Sequence, residues 1–293
     1  MRAAIRIVGM VLLIAIIGGL GFVWIQRTRH AAASAQCQMN LKQIGLAIHG
    51  YHDTYKHCPV GTCKASHLPP EKRLSWLPAI LPYVESAGLL LLDPSKTWDC
   101  AENNPVRRRE RDSGQRKPIG ELIVGEISVF ICPANSQRLG QDYPCAIHYV
   151  GIAGLGNDAA TLPLDHENAG FFGYERKLKL TDIARGTENT LALLEVSEGG
   201  PWTAGGSSTV KALQPGVLPY FGADGQFGGR HPLTAHGLFA DGSVRTIPFD
   251  AASASLESMV TLGRKEPTES ALRFHFVRPP SLFILSPLAP LIR

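Results

Sequence analysis

Acid–base chemistry in this 293-residue chain would have to come from a scatter of histidines and carboxylates: His148, His231, His236, Asp182, Glu195 and Asp241. The catalytic reading pairs His231 with Asp241, a base oriented by a carboxylate. Both residues also have local structural work. Asp241 precedes Gly242, where a short carboxylate caps a tight turn through neighbouring backbone. His231-Pro232 reads as the start of a loop, where an imidazole can bond nearby backbone. The sequence holds no Gly-x-Ser-x-Gly elbow, no HExxH helix and no phosphate-cradling glycine loop. Structural roles therefore outweigh catalytic ones, and the protein is expected not to be an enzyme.

The six cysteines are Cys37, Cys58, Cys63, Cys100, Cys132 and Cys145. An even number beyond a membrane anchor favours disulfides in an oxidising compartment, and sequence alone leaves all fifteen pairings open. The rival is a zinc knuckle built on Cys58 and Cys63 with His57 and His67, but no second cysteine pair has matching spacing. No resident metal or cofactor is expected from these positions.

The element that positions everything else is at the N-terminus. Ile7 to Ile25 is a charge-free run of nineteen residues, long enough to span a hydrocarbon core of about 30 Å. The helical pattern continues past Arg27, Arg29 and His30, with no proline until Pro59. Cys37, Leu41, Ile44, Ile48 and Tyr51 recur at steps of four and three, one face of an α-helix. A single helix of about 50 residues and roughly 75 Å is expected, apolar on all sides in its first half and striped in its second. A retained anchor is favoured over a cleaved signal. Arg27, Arg29 and His30 separate the apolar run from the small-x-small Ala33-Ser34-Ala35, and Gln36 before Cys37 spoils a lipobox. Arg2 and Arg6 nearly balance Arg27 and Arg29, so charge alone does not orient the span. The cysteines place the domain outside the cytoplasm.

Downstream, Ser75 to Glu85 reads as a short helix with Pro82 near its start, followed by a charged stretch from Lys96 to Lys117. The Arg107–Arg116 segment could grip an acidic polymer or anionic lipid. Its charges alternate without interleaved aromatics, so it reads as a solvated loop. The net charge of +4 gives no basic field for nucleic acid. Strands are expected at Ile127–Ile131, Ile147–Ile152 and Leu191–Val196. A hairpin is expected from Gly237–Ala240 and Val244–Ile247 about the turn Asp241-Gly242. A short helix over Ser253–Leu262 closes the domain. The resulting class is α+β, a long N-terminal helix on a mainly antiparallel β domain. The segments are an anchor over 1–30, its amphipathic continuation over 31–56, an extracytoplasmic domain over 57–265, and a proline-broken tail over 266–293.

Seven of these segments occur in one order that resembles a known family. They are CQMNLKQIGLAIHGYHDTY (Cys37–Tyr55), SWLPAILPYVE (Ser75–Glu85), TWDCAEN (Thr97–Asn103), FICP (Phe130–Pro133), HYVGIAG (His148–Gly154), LTDIARGTENTLALLE (Leu180–Glu195) and FGGRHPLTAHGLFADGSVRTI (Phe227–Ile247). The chain resembles the planctomycete-type, pilin-like domain of unknown function with a His-x9-Asp-Gly motif, over about residues 2–265. The motif positions here are His231, Asp241 and Gly242, with Asn40, Leu41, Lys42 and Gln43 in the helix. The resemblance implies a pilin or pseudopilin-like envelope protein, with membrane lipid and other pilin-like or secretion-system subunits as partners. Cys37 and Cys132 fall in motif positions, and the resemblance implies that they pair and tie helix to sheet. It also brings calcium into view, since some pseudopilins hold that ion in a β-loop. Asp224, Asp241 and Glu195 offer hard oxygen ligands here, without the alternating acids of a dedicated calcium loop.

The departures are as informative. Aligned on Cys37, Arg2 stands where family members begin with phenylalanine, Arg6 where they carry glutamate, and Arg185 where an aspartate commonly precedes Gly186. An arginine in place of that glutamate repels a neighbouring amino terminus instead of pairing with it. The helix is therefore expected to stay in the membrane. The rival functions are an extracytoplasmic binding module for an envelope polymer or ligand, and an envelope hydrolase using His231.

Overall fold

A computed structural model describes residues 2–84, 92–103, 127–135, 146–222 and 224–263. Helix α1 runs unbroken from Arg2 to Tyr55, 54 residues, or about 80 Å. Its outer half turns Leu12, Leu13, Ile14, Ile16, Ile17, Leu20, Phe22 and Trp24 outward with nothing packed over them. That continuous apolar surface exceeds the exposed patches usual on soluble monomers, and the helix is long and apolar enough to cross a membrane. The inner half buries only one stripe, Cys37, Leu41, Ile44, Ala47 and Ile48, while Met39 and Leu46 stay exposed on the opposite side. Tyr51 ends the stripe half-buried, edge-on to Tyr83 at 6.2 Å.

The stripe rests on a five-stranded sheet. Its strands are β1 (Tyr149–Leu155), β2 (Leu191–Glu195), β3 (Val210–Leu213), β4 (Thr234–Phe239) and β5 (Val244–Pro248), in spatial order β3-β1-β2-β4-β5. The pairs β1–β2, β2–β4 and β4–β5 are antiparallel, and β3 lies parallel to β1. The α+β class therefore holds. Central β2, with the sequence LALLE, is buried at every position, the burial expected of a strand covered on both faces. On one side α1 comes so close that a Cβ on Gly45 would stand 2.8 Å from Leu238 of β4. Elsewhere the Phe172 ring lies against Gly151 of β1, with the Trp76 ring tilted against it at 4.7 Å.

The β4–β5 hairpin forms where expected. Asp241 Oδ1 accepts the Ser243 N–H at 2.8 Å, and Gly242 takes φ +79°, the left-handed backbone that glycine adopts without strain. Other elements differ. Ser75–Glu85 yields only α2 (Leu77–Ile80) and a 3-10 turn over Leu81–Tyr83, because Pro82 has no N–H to continue the helix; Glu85 lies outside the described residues. Ile127–Ile131 is a 3-10 turn over Ser128–Phe130 rather than a strand. The carbonyls of Ser128 and Ile131, which a ladder would use, accept the Asn40 side-chain amide instead. The parallel β3 was not expected: its four residues, Val210–Leu213, just before Gln214-Pro215, carry no readable alternation. The closing helix α3 spans Ser253–Met259. The Arg107–Arg116 segment and the 266–293 tail fall outside the described residues.

The two faces of α1 differ in what a truncation costs. Leu41→Ala, at a fully buried site, is expected to lower unfolding stability by about 2–5 kcal/mol. Leu46→Ala, on the exposed face, should stay within about 0.5 kcal/mol. Chemical denaturation of the two variants side by side checks the placement of the stripe.

Candidate functional site

A carboxylate ends the central strand. Glu195 has zero exposure, and a buried carboxylate needs partners for both oxygens. Its Oε2 accepts the backbone N–H of His236 at 2.7 Å. Its Oε1 stands 3.4 Å from His231 Nε2 and has no hydrogen bond of its own. Gly229 leaves room for this: a Cβ there would lie 3.0 Å from Oε2.

His231 is itself buried, and its Nε2 also sits 3.2 Å from Cys37 Sγ and 3.2 Å from Cys132 Sγ. Those cysteines are joined as a disulfide with Cα atoms 5.3 Å apart, inside the usual range of about 4.4–6.8 Å. The pairing implied by the resemblance is the one present, and it crosses from α1 to the turn after Phe130. His148 holds the far end, its Nδ1 accepting the Cys132 N–H at 3.0 Å. Beside this knot, the His236 ring lies 4.9 Å from that of His231. Its Nε2 bonds Ser34 Oγ of α1 at 2.9 Å and its Nδ1 meets Thr246 Oγ1 at 3.1 Å. Burial holds the His236 pKa below its ordinary 6.5; nearby Glu195 pulls it up and His231 pushes it down.

The helix motif residues divide their work along the same seam. Asn40 gives its amide to the 127–131 turn and accepts from Gln36 at 3.0 Å. Leu41 enters the core, and Gln43 is exposed. Lys42 Nζ donates to Gly242 O at 2.7 Å, joining the helix motif to the Asp-Gly turn 200 residues later.

Several expected constellations do not assemble. His231 meets Glu195, while Asp241 is an exposed turn cap, so the two motif residues are not an acid–base pair. Asp182 accepts the Lys179 N–H at 2.9 Å as a cap of its own. The calcium candidates are separated: Glu195 is buried, whereas Asp224 and Asp241 are exposed. Cys58, Cys63 and Cys100 are free, not disulfide-bonded, and Cys145 lies outside the described residues. No zinc knuckle forms at Cys58 and Cys63. His57 bonds the Cys58 carbonyl, His67 that of Ser95, and the Cys63 thiol donates to Ser75 O. Burial pushes the Cys58 thiol up to about 12, with Asp182 adding to it, and the Cys63 thiol up to about 11. Both stay protonated and unreactive.

Glu195, Ser34 and Thr246 as a connected set escaped sequence reasoning. The available signal was a glutamate closing an otherwise apolar strand, which announces a buried charge needing partners. A concavity of about 420 Å³ lies away from this knot, beside Leu162, Tyr174, Glu175 and Lys177. Arg176 also lines it, with its guanidinium donating to the carbonyls of Ala153, Ala159, Leu162, Gly170 and Phe172.

Fold and site together define a protein with one apolar helix, locked by a disulfide and a buried His–Glu knot onto a small α+β domain. The model of the family described as "Protein of unknown function (DUF1559)" matches residues 26–218, and the chain belongs to that family. His231 and the Asp241-Gly242 turn lie beyond the matched span. No curated protein and no solved structure matches the chain.

Two measurements test the knot. The double variant Cys37→Ala/Cys132→Ala opens a link of sequence separation 95 and is expected to lose about 2–5 kcal/mol, read as a drop in Tm. The second is pH dependence. His236 takes a proton near 6.5 when unfolded and only at lower pH when folded. The unfolded state therefore binds more protons below that value, and stability falls as pH drops from 6.5 through the folded pKa. Between pH 7.5 and 5.5, His236→Gln should lose less Tm than the parent chain.

Proposed function

We propose that this chain is a membrane-anchored, pilin-like envelope protein with a structural or binding role and no catalytic activity of its own. The outer half of α1 sits in the inner (cytoplasmic) membrane as a single pass, with Arg2 and Arg6 on the cytoplasmic side. The domain beyond residue 57 stands outside the cytoplasm, in contact with membrane lipid and with other pilin-like or secretion-system subunits.

One observation carries this reading: a single unbroken helix bears two different surfaces, apolar all round over its outer half and striped where it docks. The disulfide supports an oxidising side for the domain. The non-catalytic assignment is supported by the condition of the acid–base candidates. His231 and Glu195 are buried beneath α1, and His148 and His236 hold parts of the same seam. Arg2 and Arg6 favour a subunit that remains in the membrane over one drawn into a filament by an N-terminal charge pair.

Fractionation tests the anchor and its orientation together. The intact chain should remain in membranes after an alkaline carbonate wash. Protease supplied from outside the inner membrane should remove the domain and leave a short anchored fragment. An intact chain released as soluble protein overturns the anchor, and a domain protected until the membrane is opened overturns the orientation.

A further inference from the structure

Among the described residues, Cys37, Cys132, Glu195 and His231 are the one group of cysteine, histidine and acidic side chains whose ligand atoms all lie within 4.8 Å of one another, and all four are buried. Two sulfurs, an imidazole and a carboxylate are a donor set for zinc, which prefers four ligands of this kind in a closed tetrahedron. The distances suit it. Zn–S bonds of about 2.3 Å and Zn–N or Zn–O bonds of about 2.1 Å put tetrahedral S···N pairs about 3.6 Å apart and N···O pairs about 3.4 Å apart. His231 Nε2 lies 3.2 Å from each sulfur and 3.4 Å from Glu195 Oε1. A second observation points the same way: Glu195 Oε1, fully buried and facing this group, has no hydrogen bond, so one acceptor of the cage lacks a donor.

We propose that Cys37, Cys132, His231 and Glu195 form a binding site for a thiophilic divalent metal, zinc above all, in the chain whose Cys37–Cys132 bond is reduced. Disulfide and metal are then alternative occupants of one cage, each tying α1 to the sheet. The exchange balances with a dithiol reductant. Two electrons and two protons convert the S–S bond to two thiols while the reductant closes its own disulfide. The metal then displaces both thiol protons to solvent and takes the sulfurs as thiolates. Opening the disulfide lets the sulfurs part to the roughly 3.8 Å that two tetrahedral thiolates require. Because the site is buried, the metal enters while the seam is open and its binding adds to folding stability. This goes beyond the anchoring reading and does not rest on it.

Cobalt(II) titrated into the full-length chain in detergent reads the site directly. The reduced chain, with Cys58, Cys63, Cys100 and Cys145 replaced by serine, should take up one equivalent. It should show a thiolate-to-cobalt charge-transfer band and the intense visible bands of four-coordinate cobalt, with zinc displacing it. The oxidised chain should show neither. His231→Gln and Glu195→Gln should each weaken cobalt binding at least tenfold, Cys37→Ser should weaken the charge-transfer band, and Cys37→Ser with Cys132→Ser should abolish it. A reduced, folded chain without the bands overturns the proposal, as do bands that survive the combined Cys37→Ser and Cys132→Ser exchange. Should the reduced chain unfold, restoration of its folded circular dichroism by one equivalent of zinc supports the site, and no restoration overturns it.

Discussion

A carboxyl group sealed inside the protein organises the junction on which the rest of the molecule depends. Glu195 sits at the end of the central strand with no exposure, and leaving a carboxylate there unanswered would cost several kcal/mol. One oxygen therefore fixes the backbone of β4 through His236, and the other, without a hydrogen bond, stands 3.4 Å from His231 Nε2 beneath α1. The two rings then face the helix from below, His236 reaching Ser34 and His231 touching both sulfurs of the disulfide. The position of α1 on the sheet follows from this knot as much as from apolar packing.

The consequence reaches beyond the domain. α1 is one helix, so whatever sets its angle on the sheet also sets the direction of its apolar outer half. The contacts that set that angle are spread along the seam: Ser34 and Cys37 at the knot, Asn40 on the 127–131 turn, Lys42 on the Asp-Gly turn, and Gly45 against Leu238. Polar and covalent links give a single register where an apolar stripe alone could slide by a turn. The residues that make the chain resemble its family in the helix, the 130–133 turn and the last hairpin thus meet at one place, and what they do there is docking.

Legibility in the sequence followed the range of the forces involved. The stripe from Cys37 to Ile48 and the Asp241-Gly242 hairpin were readable because helical period and turn chemistry are local. The 127–131 segment was misread because Ile-Ser-Val-Phe-Ile has strand-like composition, while its carbonyls answer an amide almost ninety residues earlier in the chain. Four-residue β3 was invisible because parallel pairing to β1 depends wholly on a distant neighbour. His231 was assigned to local backbone. Nothing near it in sequence signals that it turns inward to Glu195, 36 positions earlier, rather than outward to Asp241, ten positions later.

The order of residues alone specifies the existence and length of α1, the division of that helix into an all-apolar and a striped half, the closing hairpin, and the α+β class. These rest on periodicity and turn preference, which each short stretch expresses alone. Tertiary structure alone makes Glu195 rather than Asp241 the partner of His231, and brings two sulfurs, an imidazole and a carboxylate into one cage. Those outcomes depend on which side chains are brought within about 4 Å when the stripe of α1 closes over β2 and β4, a distance that no spacing along the chain encodes.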